Sequence, residues 1–413
     1  MKIAQITYGA YDSSAVTRLS RALNKCGVQS DLIAVKLGAG VSGTCVQASQ
    51  IHRAMNHAKW ISENKAVNRK YQKTPMLFDV SDFGVMTDIQ IKKLSEYDVL
   101  HMHYINGMIS YRQMQQLTDL HKPMFWTMHD CWAFTGGCHY MAFGCDKYKD
   151  RCTACPVLNS GFDDISTACQ RKKIESYPNT INIISPSKWM NERVKQSRIF
   201  GKNPSDQIYN GVDLNVFHGK EDCEKNQNNR KVILIGADSP VASPYKGYSH
   251  IVNALKGLRD AHPGLSEKIE LVFFGGGCDP ERLKKDFDGY QIKLKGFVTR
   301  QEDVAKLYRE ADVFLTASLY DNLPTTLIES LASGTPCVGY KTGGIPEIVD
   351  HQVNGYLAER EDDIGLAKGL LWVLENNKEN VLGRQGREKA EKCFNDMDSA
   401  KNHIRLYHER LGM

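Results

Sequence analysis

The chain has 413 residues, 41% hydrophobic and 24% charged, with a formal net charge of +5. At roughly 100 to 200 residues per domain this length suits two domains, and the composition excludes disordered, collagen-like and coiled-coil chains. The modest positive charge suits anionic headgroups or a sugar nucleotide, but it lacks the dense basic stripes that grip nucleic acid.

The opening MKIAQITYGAYDSS has one lysine and a short apolar stretch ending at Gly9. It lacks the apolar core and cleavage site of a secretory signal, so a cytoplasmic location is expected. No apolar run approaches the ~20 residues of a bilayer span, so membrane contact is expected to be peripheral. KIAQITY reads as a strand and VTRLSRALNKCG as a helix. DVLHMHYI, ISYRQMQQLTDL, MFWTMHD, INIISPS and KWMNERVKQS continue the alternation. Strand, helix, strand predicts a parallel α/β sheet with helices on its faces.

The polar run HGKEDCEKNQNNRK (218 to 231) then reads as a linker. Beyond it VILIGA, ELVFFGGG, IKLKGFV, VFLTAS and PCVGYKT restart the pattern. The expected organisation is a doubly wound domain over residues 1–218, a second over 219–395 and a terminal helix over 396–413 that packs back on the first. Open parallel sheets bind ligands at the carboxyl ends of their strands, so a cleft between two such sheets is expected.

Chemistry concentrates in SLYDNLPTTLIESL (318 to 331). ADVFLTAS before it reads as a buried strand, LYDNL as a turn and PTTLIESLASG as a helix, with Pro324 at a first helical position and Gly334 as the stop. Unpaired amides at the helix start favour an anion or sugar oxygens. Asp321 at the rim and Glu329 one to two turns down are placed to accept hydrogen bonds from hydroxyls. The plainer alternative is that Asp321 complements the helix dipole and Glu329 is a solvated helix acid. TPCVGYKTGGIPEIVDHQVNGYLAE then supplies a strand, a Gly343-Gly344 turn, a helix from Pro346 and a short strand.

A strand, an acid, Asn-Leu-Pro, a helix with an acid eight positions on, and then Ser-Gly-Thr-Pro-Cys-Val and Thr-Gly-Gly-Ile-Pro-Glu-Ile-Val resemble the donor-binding core of the retaining glycosyltransferases of family 4. The resemblance implies the GT-B fold of two Rossmann-like domains, and a nucleotide diphosphate sugar held by the second. By position, Asp321 takes the sugar hydroxyls and Glu329 the ribose. The family usually has Glu at both places, so the shorter Asp321 is a departure. Lys246, in SPYKGY, matches the lysine that neutralises the donor diphosphate, where a flexible ammonium acts as a point charge. The family's nearby arginine is missing, because the stretch reads Gly236-Ala237-Asp238-Ser239. The Gly-Phe-Val turn around Val298 corresponds to backbone beside the base, and amides near Asn322 and Leu323 to donors for the leaving diphosphate.

In the first domain Thr127-Met128-His129-Asp130 matches the family sequence whose histidine lies beside the reacting sugar. A lone histidine at a strand end is also a common structural residue. His101 and His103 share one face of a strand, either lining the cleft or as polar core residues. The Gly9 to Ser14 loop replaces the usual paired glycines with Asp12-Ser13-Ser14.

Cys138, Cys145, Cys152 and Cys155 are separated by six, six and two residues. They leave three readings open: a structural metal site, disulfides, or reduced unligated thiols. Preceded by Thr-Gly-Gly-Cys-His-Tyr, the loop resembles a bacterial subgroup of the family that builds surface polysaccharides. Asp286-Phe287-Asp288 and Asp396-Met397-Asp398 fit an Asp-x-Asp pattern but lie in polar helical or loop stretches, and read as solvated acids.

The resemblance therefore implies a hexosyltransferase with no required metal or cofactor. The expected acceptor is a glycan or lipid-linked glycan of capsule, O-antigen or exopolysaccharide synthesis. SKWMNERVKQSRIFGK (187 to 202) offers a basic, Trp189-bearing contact for an anionic inner membrane face, or an ordinary exposed helix. The alternatives are a nucleotide-sugar sensor without catalysis and a GT-B epimerase.

Overall fold

The computed structural model describes residues 1–46, 50–71, 73, 74, 76–80, 82–219, 230–236, 241 and 243–412. These form two compact units, Met1–Tyr209 with Ser399–Met413, and Asn210–Asp398. Most of the expected linker, 220–229, lies outside the described residues.

The first unit holds seven strands: β1 Lys2–Ala10, β2 Gln29–Leu37, β3 Thr44–Cys45, β4 Val99–Met102, β5 Met124–Thr127, β6 Asn182–Ser185 and β7 Ser205–Gln207. They pair in parallel in the order β3-β2-β1-β4-β5-β6-β7. Side chains alternate across a strand, so register decides what each face carries. Ile6, Met102 and Trp126 align and enter a large apolar core. On the other face Gln5 aligns with His101, and His101 with Phe125. Tyr407, from the helix Asp396–Leu411, packs edge-on against Phe125 at 4.8 Å between ring centroids.

The second unit holds β8 Lys231–Gly236, β9 Ile269–Phe274, β10 Gln291–Gly296, β11 Val313–Leu315, β12 Cys337–Tyr340 and β13 Gly355–Ala358. The parallel order is β10-β9-β8-β11-β12-β13. In both units the strand order reverses at the first strand, which opens a crevice beyond the carboxyl ends of β1 and β4, and of β8 and β11. Ile233, Ile235, Leu271, Phe273, Val313, Leu315 and Val338 build the second core.

Two local boundaries differ from the sequence reading. The strand expected over 311 to 318 spans only Val313–Leu315, because the Ser318 amide turns back to the Thr316 hydroxyl at 3.3 Å. The helix expected to begin at Pro324 spans Thr325–Ala332, with Pro324 as its cap at φ −65° and ψ 115°. Gly334, at φ 72°, follows its end. Among the described residues no helix is long and apolar enough to cross a membrane.

Candidate functional site

Two loops meet at the switch point of the second sheet. Lys246 follows β8 and Asp321 follows the adjacent β11, and Lys246 Nζ donates to Asp321 Oδ2 at 2.7 Å. Both side chains are mostly buried, at 23% and 13% exposure. Their backbones are fixed to each other as well, since the Leu319 amide donates to the Tyr245 carbonyl at 2.8 Å.

Glycines make that approach possible. Gly247 is left-handed at φ 69°, and a Cβ there would overlap the Ala317 carbonyl at the end of β11. Gly343, at φ 58°, would overlap the Asp321 carbonyl in the same way, and the Gly344 amide donates to that carbonyl at 3.3 Å. The Thr-Gly-Gly turn therefore buttresses the Asp321 loop. An ammonium and a carboxylate held at strand ends can exchange partners. A phosphate oxygen can take the place of the carboxylate on Lys246, leaving Asp321 to accept from a hydroxyl.

Asn322 and Leu323 are buried between Asp321 and the helix start, at 6% and 5% exposure. Glu329 is buried inside that helix, not a solvated acid, and accepts from the Tyr308 hydroxyl at 3.1 Å. Tyr308, from the helix Gln301–Glu310, is fully buried against Phe314 of β11, with ring centroids 5.4 Å apart. Val298 is partly buried beyond β10, beside the exposed Phe297. Three of the residues singled out from the sequence as Ala237, Asp238 and Ser239 lie outside the described residues.

In the first unit His129 stands two residues past β5 and its Nε2 lies 2.9 Å from His103 Nδ1, the two rings stacked. His103 Nε2 lies 2.6 Å from Gln5 Oε1. His101 bridges Tyr407, with Nδ1 2.6 Å from its hydroxyl, and Thr127, with Nε2 2.7 Å from Oγ1. His101 and His103 are thus buried polar groups, both at 4% exposure or less. Burial, partly opposed by the Asp130 carboxylate, pushes His129 down to about 4, and burial likewise holds His101 and His103 well below the ordinary imidazole range. All three rings are neutral near pH 7. Asp130 itself accepts from the Trp132 amide at 2.9 Å and pairs with His139 Nδ1 at 2.7 Å. In the loop after β1, Asp12 pairs with Arg21 at 2.6 Å.

The cysteine loop is held from beneath by Lys173, which is fully buried and donates to the carbonyls of Trp132 and Thr135, the latter at 3.1 Å. Cys138, Cys145, Cys152 and Cys155 are free thiols. A hydrogen bond from Cys138 brings Cys155 down to about 7, while Cys138 moves up in return. Burial pushes Cys152 up to about 12 although the Gly136 amide donates to its sulfur at 3.2 Å. Among the described residues no group of three or more His, Cys, Asp or Glu side chains is arranged to hold a metal ion. Of the Asp-x-Asp runs, Asp286 accepts from the Tyr248 hydroxyl at 2.8 Å, and Asp396 opens the last helix.

The sequence reading leaves out Tyr308, Gln5 and Lys173, and takes Tyr407 only as an apolar residue of the last helix's packing face. A tyrosine in an apolar helical pattern, a glutamine inside an apolar strand and a lysine among helix residues each signal a buried polar group in need of a partner, but the partner is remote in sequence.

Residues 220–389 match the family described as glycosyl transferases group 1. The chain is 30% identical over 335 residues to the N-acetyl-alpha-D-glucosaminyl L-malate synthase of Bacillus anthracis, covering 78% of this chain and 77% of that protein. It is 36% identical over 111 residues to the amylovoran biosynthesis glycosyltransferase AmsK of Erwinia amylovora, a match to 25% of this chain and 27% of AmsK. Among solved structures, Anabaena HepE in complex with UDP-glucose aligns with a TM-score of 0.68 at 14% identity, over 99% of this chain and all of that one.

Proposed function

The chain belongs to the group 1 glycosyl transferases and is a hexosyltransferase of the GT-B fold, and from that premise we propose that it moves a hexosyl unit from a nucleotide diphosphate sugar to an acceptor hydroxyl with retention of anomeric configuration. The observation that carries the reading is the contact of Lys246 with Asp321 across the switch point, a cation and a hydroxyl acceptor held together where an open α/β sheet binds its ligand.

The main barrier is charge separation, as the sugar becomes oxocarbenium-like and the diphosphate gains charge. Lys246 and the amides at Asn322 and Leu323 stabilise the departing diphosphate without reorganising. Asp321 accepts from the sugar hydroxyls, Glu329 from the ribose, and backbone around Val298 borders the base. His129 orients the transferred sugar. The departing phosphate helps deprotonate the acceptor, so no side chain is assigned as a covalent nucleophile and no metal is required.

The proposed acceptor is a lipid-linked glycan of surface-polysaccharide synthesis, supported by the name of AmsK. The helix Lys188–Gln196 would rest on an anionic membrane, with Arg193 3.9 Å over the ring of Trp189. Radiolabelled nucleotide sugars incubated with lipid-linked acceptors test the reading, and label transfer with release of nucleoside diphosphate is expected. Saturable binding without transfer or hydrolysis, abolished in Glu329→Ala, would favour a sensor. Acceptor-independent conversion of the donor sugar would favour an epimerase.

A further inference from the structure

The sheet face beneath the last helix carries, together with His129, a row of polar residues to which the transfer reaction assigns no role. Gln5, His101 and His103 come from β1 and the end of β4, Thr127 and His129 from β5 and just beyond it, and Tyr407 from the last helix. A buried polar group without a partner is destabilising, so such a row is retained only if it is satisfied or useful. The hydrogen bonds in this row also have a direction.

We propose that His103 and Gln5 are positioning residues that hold His129 as its Nε2–H tautomer, and that Tyr407 and His101 tie the same row to the last helix; the catalytic consequence rests on the role proposed above for His129. The carbonyl oxygen of Gln5, 2.6 Å from His103 Nε2, can only accept, so His103 Nε2 carries the hydrogen. In a neutral imidazole the other nitrogen is then an acceptor. His103 Nδ1 is 2.9 Å from His129 Nε2, so His129 Nε2 must donate. His129 Nδ1 is left unprotonated, the form that accepts from a sugar hydroxyl.

The second arm carries no such constraint, because the hydroxyls at both of its ends can donate or accept. Tyr407 lies 2.6 Å from His101 Nδ1, and His101 Nε2 lies 2.7 Å from Thr127 Oγ1, two residues before His129. The rings of His101 and His103 are 4.2 Å apart. The nitrogen end of Gln5 lies against the Tyr407 hydroxyl without a bond of good geometry. His403 completes the face, its Nδ1 donating to the Ser399 carbonyl at 2.8 Å. His101, His103, His129 and His403 are all kept neutral by burial, which is what gives each ring a single defined hydrogen.

Long-range 1H–15N spectra of the full chain, labelled at histidine ring nitrogens and recorded at pH 7, distinguish the tautomers. The His129 signals are identified by their loss in His129→Asn. The wild type is expected to show His129 as Nε2–H. In His103→Leu and Gln5→Leu the pattern is expected to become a mixture, with kcat falling roughly tenfold to a hundredfold and the donor KM within about twofold. His103→Asn, whose side-chain oxygen can accept from His129, is expected to restore most of the rate.

Nδ1–H in the wild type overturns the proposal without any variant needing to fold. So does an unchanged tautomer in a folded His103→Leu protein. A tautomer shift with unchanged transfer supports the positioning role and removes His129 from the reaction, so the two failures are distinguishable.

Discussion

Replacing Lys246 by alanine perturbs two quantities of different size. A hydrogen bond to a charged group contributes about 1.5 to 3 kcal/mol, so loss of the ammonium is expected to weaken nucleotide-sugar binding by roughly tenfold to a hundredfold. Because that cation also opposes charge on the departing diphosphate, kcat is expected to fall by roughly 10² to 10³. Stability changes for a separate reason: the 2.7 Å partner, Asp321, is left as a carboxylate at 13% exposure without its cation. Exposed pairs contribute at most about 1 kcal/mol, and breaking a fully buried pair costs about 3 to 5 kcal/mol. At 23% and 13% exposure this pair lies between them, so a loss of about 2 kcal/mol is expected, or roughly 4 to 8 °C in the unfolding midpoint of a unit of this size. Titration calorimetry with a panel of nucleotide sugars measures the first effect and thermal unfolding the last. In Lys246→Ala/Asp321→Ala the stability losses are expected to be less than additive, because the second removal relieves the stranded charge. Donor affinity within about twofold of wild type in Lys246→Ala would mean that this ammonium does not hold the diphosphate.

Three further outcomes follow from other buried groups. Tyr308→Phe removes the donor 3.1 Å from Glu329 and is expected to cost about 1 to 2 kcal/mol of stability with a small change in donor affinity, whereas Glu329→Ala is expected to abolish measurable binding; comparable affinities in the two variants would argue against the ribose role. Burial holds the pKa of both His129 and His403 to about 4 in the fold, against roughly 6.5 in the unfolded chain. The unfolded chain therefore binds more protons between these values, so this stability is fully present above about pH 6.5 and lost as pH falls toward 4. Urea titrations at pH 7.5 and 5 check this, and equal midpoints would contradict it. Lys173→Met removes the ammonium that donates to the Trp132 and Thr135 carbonyls, the first of which keeps the Thr135 amide at 3.4 Å, and is expected to cost about 1 to 3 kcal/mol, read as a lower denaturant midpoint; an unchanged midpoint would mean that these carbonyls are satisfied by other contacts.

Much of the architecture was legible because parallel strands buried on both faces read as short apolar runs. KIAQITY, VILIGA, ELVFFGGG and PCVGYKT all fall on observed strands. Strands such as Ser205–Gln207, three polar residues paired along one edge, have no such signal and were passed over. The boundary at Pro324 lies one residue later because Pro324 is extended, with ψ at 115°, which leaves Thr325 as the first helical residue.

At the site, the meeting of Lys246 with Asp321 follows from β8 and β11 being neighbours, whereas the roles read from the spacing of Asp321 and Glu329 belong to the proposed function. Neither Tyr308 as the partner of Glu329 nor Tyr407 as the partner of His101 could be read, the second pair being 306 residues apart. Alternation put His101 and His103 on one face, but only the last helix determines whether that face is a cleft or a core. The cysteine spacing admitted three readings, and the hydrogen bond between Cys138 and Cys155, 17 residues apart, is set by how the loop folds rather than by the spacing.

The most direct test of the central claim is the anomeric configuration of the sugar released or transferred from a nucleotide diphosphate α-hexose, followed by proton NMR before mutarotation. The α anomer is expected to accumulate first, with one equivalent of nucleoside diphosphate, and Lys246→Ala to slow its appearance. Initial accumulation of the β anomer, or no release of nucleoside diphosphate from any nucleotide sugar, would contradict that claim.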